Sequence, residues 1–199
     1  MHRQNIIAIG IAGLLVVIIT AALTKRQSTF GMFARGMATE SGHSSSANVP
    51  ANDSPTAPEI APGTWINSDP LTLKKLRGRV VLIEFWTFGC YNCRNTLPYV
   101  KRWDEHYRDK GLTVVGVHSP ELEEERVIDS VRRETASLGI RYPVVTDNDY
   151  ATWKAYNVEA WPTVFILDKE GRIRWTHVGE GAYDEAESVI QELLKEGTK

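Results

Sequence analysis

The chain has 199 residues, 24% of them charged, with a formal net charge of −2 and a pI of about 6.2. No basic stripe suited to a phosphate backbone stands out, so nucleic acid is set aside as a partner. The length suits one membrane segment plus one globular domain of about 140 residues, and 2 cysteines are too few for a disulfide scaffold.

After a short tail (residues 1–5), Ile6 to Leu23 is an uncharged apolar run of 18 residues. As a helix it would be about 27 Å long, close to the hydrocarbon thickness of a bilayer. It has no polar face, which argues against a buried core helix. It reads as a transmembrane anchor or a cleaved signal peptide; Thr20-Ala21-Ala22 is a weak cleavage signal, and the length of the run favours the anchor. Residues 24–62 read as a flexible linker, rich in Ser, Thr, Ala, Gly and Pro from Ser28 onward. Arg3 on one side of the run and Lys25 and Arg26 on the other leave orientation undecided by charge. A tethered redox domain suits the oxidising side of a membrane. The expected location is therefore the cell membrane, single-pass, with the catalytic domain on the periplasmic or extracytoplasmic side.

The folded domain is expected over residues 63–199. Trp65-Ile66-Asn67 and Leu71-Thr72-Leu73, separated by Ser68-Asp69-Pro70, read as an N-terminal hairpin. Val80 to Trp86 is a near-continuous apolar run, as in a strand buried on both faces. Cys93 to Lys110 reads as a helix ended by Gly111 and kinked at Pro98. Leu112 to Val117 is a second strand. Glu121 to Leu138 reads as one long charged helix with Leu122, Val127, Ile128 and Val131 turned inward. Tyr142 to Val145 is a short strand, and Ala151 to Tyr156 a short helix. Thr163 to Leu167 and Arg172 to His177 form a hairpin around Asp168–Gly171, and Ala182 to Lys195 is a closing helix. This order gives an α/β fold with a central mixed sheet flanked by helices.

The two cysteines, Cys90 and Cys93, form a C-x-x-C between the first long strand and its helix. That placement is the mark of a thiol–disulfide redox site. Thiols three residues apart at a helix start can close a disulfide with little backbone movement, and the helix N-terminus stabilises a thiolate. Cys90 would attack and Cys93 would resolve. The pair needs no cofactor beyond itself and no metal. Two other readings stay open at this point. One is a purely structural disulfide, although so short a loop constrains little chain entropy. The other is half of a zinc site, which His106, His118 and His177 would have to complete, since zinc takes four ligands and no second C-x-x-C exists. Glu84, in the middle of the apolar run, is either a paired carboxylate at an edge or a desolvated one with raised pKa.

Phe85-Trp86-Thr87-Phe88-Gly89-Cys90-Tyr91-Asn92-Cys93, Pro98 five residues further on, and Trp161-Pro162-Thr163 before Val164–Asp168 together resemble the thioredoxin superfamily. The branch it resembles is the membrane-anchored, TlpA-like one. Leu71-Thr72-Leu73, Leu97-Pro98-Tyr99-Val100 and Gly116-Val117-His118-Ser119-Pro120-Glu121 look similar to the thioredoxin-like domain of DipZ-type proteins. The resemblance covers about residues 64–195. It implies a thioredoxin-like fold and a protein-disulfide reductase fed by a membrane electron donor of the DsbD/CcdA type, acting on protein thiols and disulfides. It also implies that Pro162 is cis beside Cys90, that Trp161, Pro162 and Thr163 line the substrate surface, and that Glu84 relays the Cys93 proton. His118 would tune the pair or be a loop histidine, Arg94 would be solvated, and Trp86 would belong to the core. There are departures too: Tyr-Asn replaces thioredoxin's Gly-Pro between the cysteines, and Gly89 stands where thioredoxin carries a second tryptophan. Two rival functions share the fold. A peroxiredoxin-like peroxidase expects Pro-x-x-x-Thr-x-x-Cys, which the residues ahead of Cys90 do not supply. A copper-binding redox chaperone would use Cys90, Cys93 and a histidine such as His177.

Overall fold

Strand β3 (Val80–Trp86) is buried along its whole length and divides two layers of core. Its alternate residues Val80, Leu82 and Trp86 face one layer, and Val81, Ile83 and Phe85 the other. The computed structural model describes residues 45–50 and 53–197. The apolar run Ile6–Leu23, the tail before it and the linker as far as residue 44 lie outside the described residues. Among the described residues no helix is long and apolar enough to cross a membrane.

Seven strands form one sheet: β1 (Ser45–Asn48), β2 (Trp65–Ile66), β3, β4 (Leu112–His118), β5 (Val144–Thr146), β6 (Thr163–Leu167) and β7 (Ile173–Val178), in the order β1-β7-β6-β3-β4-β5-β2. β3, β4 and β5 are parallel, and β6, β7, β1 and β2 join antiparallel, so the sheet is mixed as expected. Helices α1 (Tyr91–Tyr107) and α4 (Tyr183–Lys195) cover one face. Leu97, Val100 and Trp103 of α1, and Ala186, Ile190 and Leu193 of α4, pack there with Val80, Leu82 and Ile166. Ala57, Ile60, Leu73, Leu76, Tyr156 and Val158 cover the other. α2 (Ile128–Ser137) and α3 (Ala151–Ala155) complete the layers. A 3-10 turn, Arg108–Lys110, follows α1 and ends at Gly111, whose φ of 110° suits a residue without Cβ.

Three expectations are corrected. The N-terminal hairpin does not form. β2 pairs with β5, while Leu71 and Thr72 join no strand and Leu73 opens a turn. Asn67 adopts φ 68° and its amide donates to the carbonyls of Ile140 (3.0 Å) and Tyr142 (3.1 Å), which ties the chain to the β5 edge. The alternation of Leu71 and Leu73 reflects core burial of Leu73, not strand pairing.

The domain also begins upstream of residue 63. β1 pairs with β7, Thr56 bridges Arg172, and Ala57 and Ile60 are buried. Composition suggests a linker because this segment is held by backbone pairing and, among the described residues, by the buried apolar side chains Ala57 and Ile60.

The long helix over 121–138 is broken. A 3-10 turn, Glu123–Arg126, precedes α2, and extended Val127 (φ −74°, ψ 111°) separates them. Val131 is buried, but Leu122 and Val127 are both 52% exposed, while Glu125 is buried.

Candidate active site

The end of β3 runs through the turn Thr87-Phe88-Gly89 into α1, with Cys90 as the helix N-cap. The Cys90 sulfur accepts the Cys93 N–H (3.2 Å), and the Cys90 N–H donates to the Thr87 carbonyl (3.4 Å). Cys90 and Cys93 are joined in a disulfide with Cα atoms 5.3 Å apart, a separation that a helical i,i+3 pair supplies. Cys90 is 9% exposed and Cys93 2%, so Cys90 is the more exposed residue of the pair. Exposed Arg94 donates through Nε to the Phe88 carbonyl (2.9 Å), bracing the turn from the helix side.

Glu84 is a buried acid in β3, opposite Gly116 of β4 and Val164 of β6. By strand alternation it shares the face of Leu82 and Trp86, the core layer that contains Cys93. Burial pushes its carboxyl up to about 8, against a hydrogen bond from the Tyr142 hydroxyl to Oε2 (3.1 Å) that favours the charged form. The carboxyl can thus hold or release a proton near neutrality. Tyr142 is a partner that sequence reading missed, because it reads there only as an apolar strand residue.

Under the turn lies a second polar group. His118, at the end of β4, places Nε2 3.2 Å from the Thr87 hydroxyl and stacks on Phe88. Burial pushes its pKa down to about 4, although the nearby Glu125 charge pulls the other way. It is therefore a neutral buried imidazole, not a loop histidine. Glu125 accepts N–H groups from Gly89 (2.9 Å), Glu121 (2.6 Å) and Leu122 (3.0 Å). Burial alone would raise its pKa, but bonds from Leu122, Thr87, Glu121 and Gly89 outweigh that and hold it below the ordinary glutamate value. The acidic run 123–125 disguised it as surface charge. Only its third-residue spacing from Leu122, the glutamate half of a capping box, could have singled it out.

The Trp161–Pro162 peptide is cis. Antiparallel pairing sets Thr163 against Phe85, so Pro162 enters the sheet beside the strand end that leads to Cys90. Trp161 packs against the core layer of Cys90 and Cys93, and its indole donates to the Ser119 carbonyl (3.0 Å). Thr163 is buried with its hydroxyl on Ala160 O (2.7 Å). Trp86 is core, as expected. His106 lies on the outer face of α1, and His177 stacks on Trp175 in β7. Among the described residues no group of three or more His, Cys, Asp and Glu side chains gathers where a metal ion could be held.

A disulfide-forming C-x-x-C at a helix start, beside a cis-proline on a mixed sheet, defines a thioredoxin-type redox site. The Redoxin family model matches residues 52–194, and the chain belongs to that family, within the thioredoxin-like superfamily. Over 145 residues it is 43% identical to Protein DipZ of Mycobacterium tuberculosis, covering 71% of this chain and 21% of DipZ. It thus spans about a fifth of that relative's length. Over 132 residues it is 27% identical to the thiol-disulfide oxidoreductase YkuV of Bacillus subtilis, covering 66% of this chain and 88% of YkuV. The crystal structure of a thiol-disulfide isomerase from Corynebacterium glutamicum superposes with a TM-score of 0.64 at 26% identity, covering 71% of this chain and 98% of that one.

Proposed function

We propose that the chain is a membrane-tethered thiol–disulfide oxidoreductase that reduces protein disulfides on the extracytoplasmic side. The observation that carries this reading is the Cys90–Cys93 disulfide at the N-terminus of α1, with Cys90 the more exposed residue. Its likeness to YkuV, named a thiol-disulfide oxidoreductase, supports the reaction class.

In the proposed cycle the reduced Cys90 thiolate attacks a substrate disulfide. One substrate sulfur leaves as thiolate and a mixed disulfide forms at Cys90. Cys93 gives up its proton and attacks the Cys90 sulfur. The second substrate thiol is released and the Cys90–Cys93 bond closes. Two electrons pass to the substrate, and a membrane dithiol donor of the DsbD/CcdA type restores the pair. Glu84 takes the role of proton relay for Cys93, since its carboxyl titrates near neutrality in the core layer of that sulfur. Trp161, Pro162 and Thr163 form the surface that receives the substrate chain. Ile6–Leu23 anchors the domain.

A redox titration of the cysteine pair, scored by trapping free thiols, tests direction. A midpoint well below the potential of the compartment supports reduction, and a high, oxidising midpoint reverses the assigned flow. Alkaline phosphatase fused after Lys199 tests location; a well-expressed but inactive fusion counts against the outer face.

A further inference from the structure

Glu125 is out of keeping with its surroundings. It sits between exposed Leu122 and Val127 yet is itself buried, with its carboxylate turned onto the backbone ahead of Cys90. Among the described residues it makes no ion pair with a basic side chain. A charge withdrawn from water without a cation needs several N–H donors, and it has them from Gly89, Glu121 and Leu122.

Gly89 is the complementary half. A Cβ at this position would lie 2.4 Å from Glu125 Oε1. A side chain at 89 and this carboxylate cannot occupy the same place, which accounts for glycine where thioredoxin carries tryptophan. The two positions, 36 apart in sequence, form one joint.

We propose that Glu125 is a positioning residue that clamps the Thr87–Gly89 turn and holds fixed negative charge at the residue just ahead of Cys90, making the cysteine pair more strongly reducing. A carboxylate beside a thiol disfavours its thiolate. The thiolate exists only in the reduced pair, so the same charge disfavours reduction and shifts the equilibrium toward the disulfide. The clamp also engages the Gly89 N–H, which is then not available to a Cys90 thiolate. Other groups around the turn act with or against it. The N-terminus of α1 and the Arg94 guanidinium favour the thiolate, His118 is neutral, and Glu84 lies behind in the core.

The inference rests on the proposed Cys90–Cys93 exchange but not on its direction in the cell. The test uses the full chain and two variants. Glu125→Gln keeps the shape and removes the charge. Gly89→Ala keeps the charge and pushes the carboxylate away, and it carries the test if Glu125→Gln does not fold. The free thiols are trapped across graded oxidised and reduced dithiothreitol, and the alkylation rate of reduced Cys90 is followed against pH. Glu125→Gln is expected to favour the reduced pair about tenfold, or about 30 mV, and to move the alkylation profile to lower pH. Gly89→Ala should move both the same way by less. Midpoints and profiles within twofold of the unsubstituted chain, or shifted the opposite way, overturn the assignment to Glu125. If the unsubstituted pair does not cycle reversibly, the exchange itself falls.

Discussion

The Tyr142 hydroxyl donates a hydrogen bond to the Glu84 carboxylate inside the core between sheet and helices. Among the described residues it is the hydrogen-bond partner of an acid whose pKa burial raises from 4.5 to about 8. Between these values the unfolded chain gives up a proton that the folded chain keeps. Stability therefore falls with rising pH, by up to about 1.4 kcal/mol per unit from this group. His118 acts in the opposite sense, since its pKa is lowered from 6.5 to about 4 and its contribution is lost as pH falls through that window. The two oppose each other from about 4.5 to 6.5, and Glu84 alone remains from about 6.5 to 8. Glu84→Gln should therefore gain stability relative to the unsubstituted chain as pH rises from 6.5 to 8. Urea unfolding at both ends of that interval measures it, and a pH-independent difference would remove the raised pKa.

The same pair makes a kinetic prediction. Glu84→Gln should slow resolution of the mixed disulfide by about 10²-fold if the carboxyl relays the Cys93 proton. Tyr142→Phe removes the bond that favours the charged form, so the Glu84 pKa rises further and the pH profile of exchange moves upward. Stopped-flow exchange with a model disulfide from pH 6 to 9 reads both. An unmoved profile in Tyr142→Phe would show that exchange does not titrate with Glu84.

The burial asymmetry of the two cysteines predicts which intermediate can be trapped. Cys93→Ser should accumulate a mixed disulfide at Cys90 when the reduced chain meets a disulfide substrate, because the resolving sulfur is gone. Cys90→Ser should accumulate none, since the remaining cysteine, Cys93, is only 2% exposed. Mass spectrometry under acid quench distinguishes the two. Equal trapping by both variants would assign attack to either sulfur.

The parts of this chain legible in its sequence are those where a local pattern and a tertiary role coincide. The run Val80–Trp86 is apolar because both faces are covered, and Cys90 and Cys93 carry their pairing in their spacing. The illegible parts depend on distant partners. Glu125 looks like surface charge until Gly89, 36 residues earlier, supplies an N–H and the space for it. Tyr142 looks like an ordinary strand aromatic until Glu84 is placed beneath its hydroxyl. Leu71-Thr72-Leu73 alternates like a strand, yet β2 pairs with β5 at the end of the sheet and Leu73 turns into the second core layer instead. Local alternation cannot tell a strand from a turn that buries a single leucine.

The segment read as linker gives the last prediction. Upstream of residue 63, β1 pairs with β7 from Ser45↔Val178 to Asn48↔Trp175, and Val49 N–H bonds the Arg174 carbonyl (2.8 Å). Further along, Ile173 N–H reaches Pro55 O (2.8 Å), Ala57 N–H reaches Gly171 O (3.0 Å), and the Tyr156 hydroxyl reaches Pro58 O (2.8 Å). The Glu59 carboxylate accepts the Leu73 N–H (2.6 Å), and Ile60 is buried against the second core layer. Removing the segment leaves the β7 edge unpaired and exposes Leu73 and Tyr156. A chain beginning at residue 63 should thus be less stable than one beginning at residue 44 and melt more than about 2 °C below it. Thermal unfolding of the two, followed by far-UV circular dichroism, measures the difference. If the shorter chain melts within 2 °C of the longer (a gap of about 1 kcal/mol or less), the upstream segment is a tether laid on the domain rather than part of its fold.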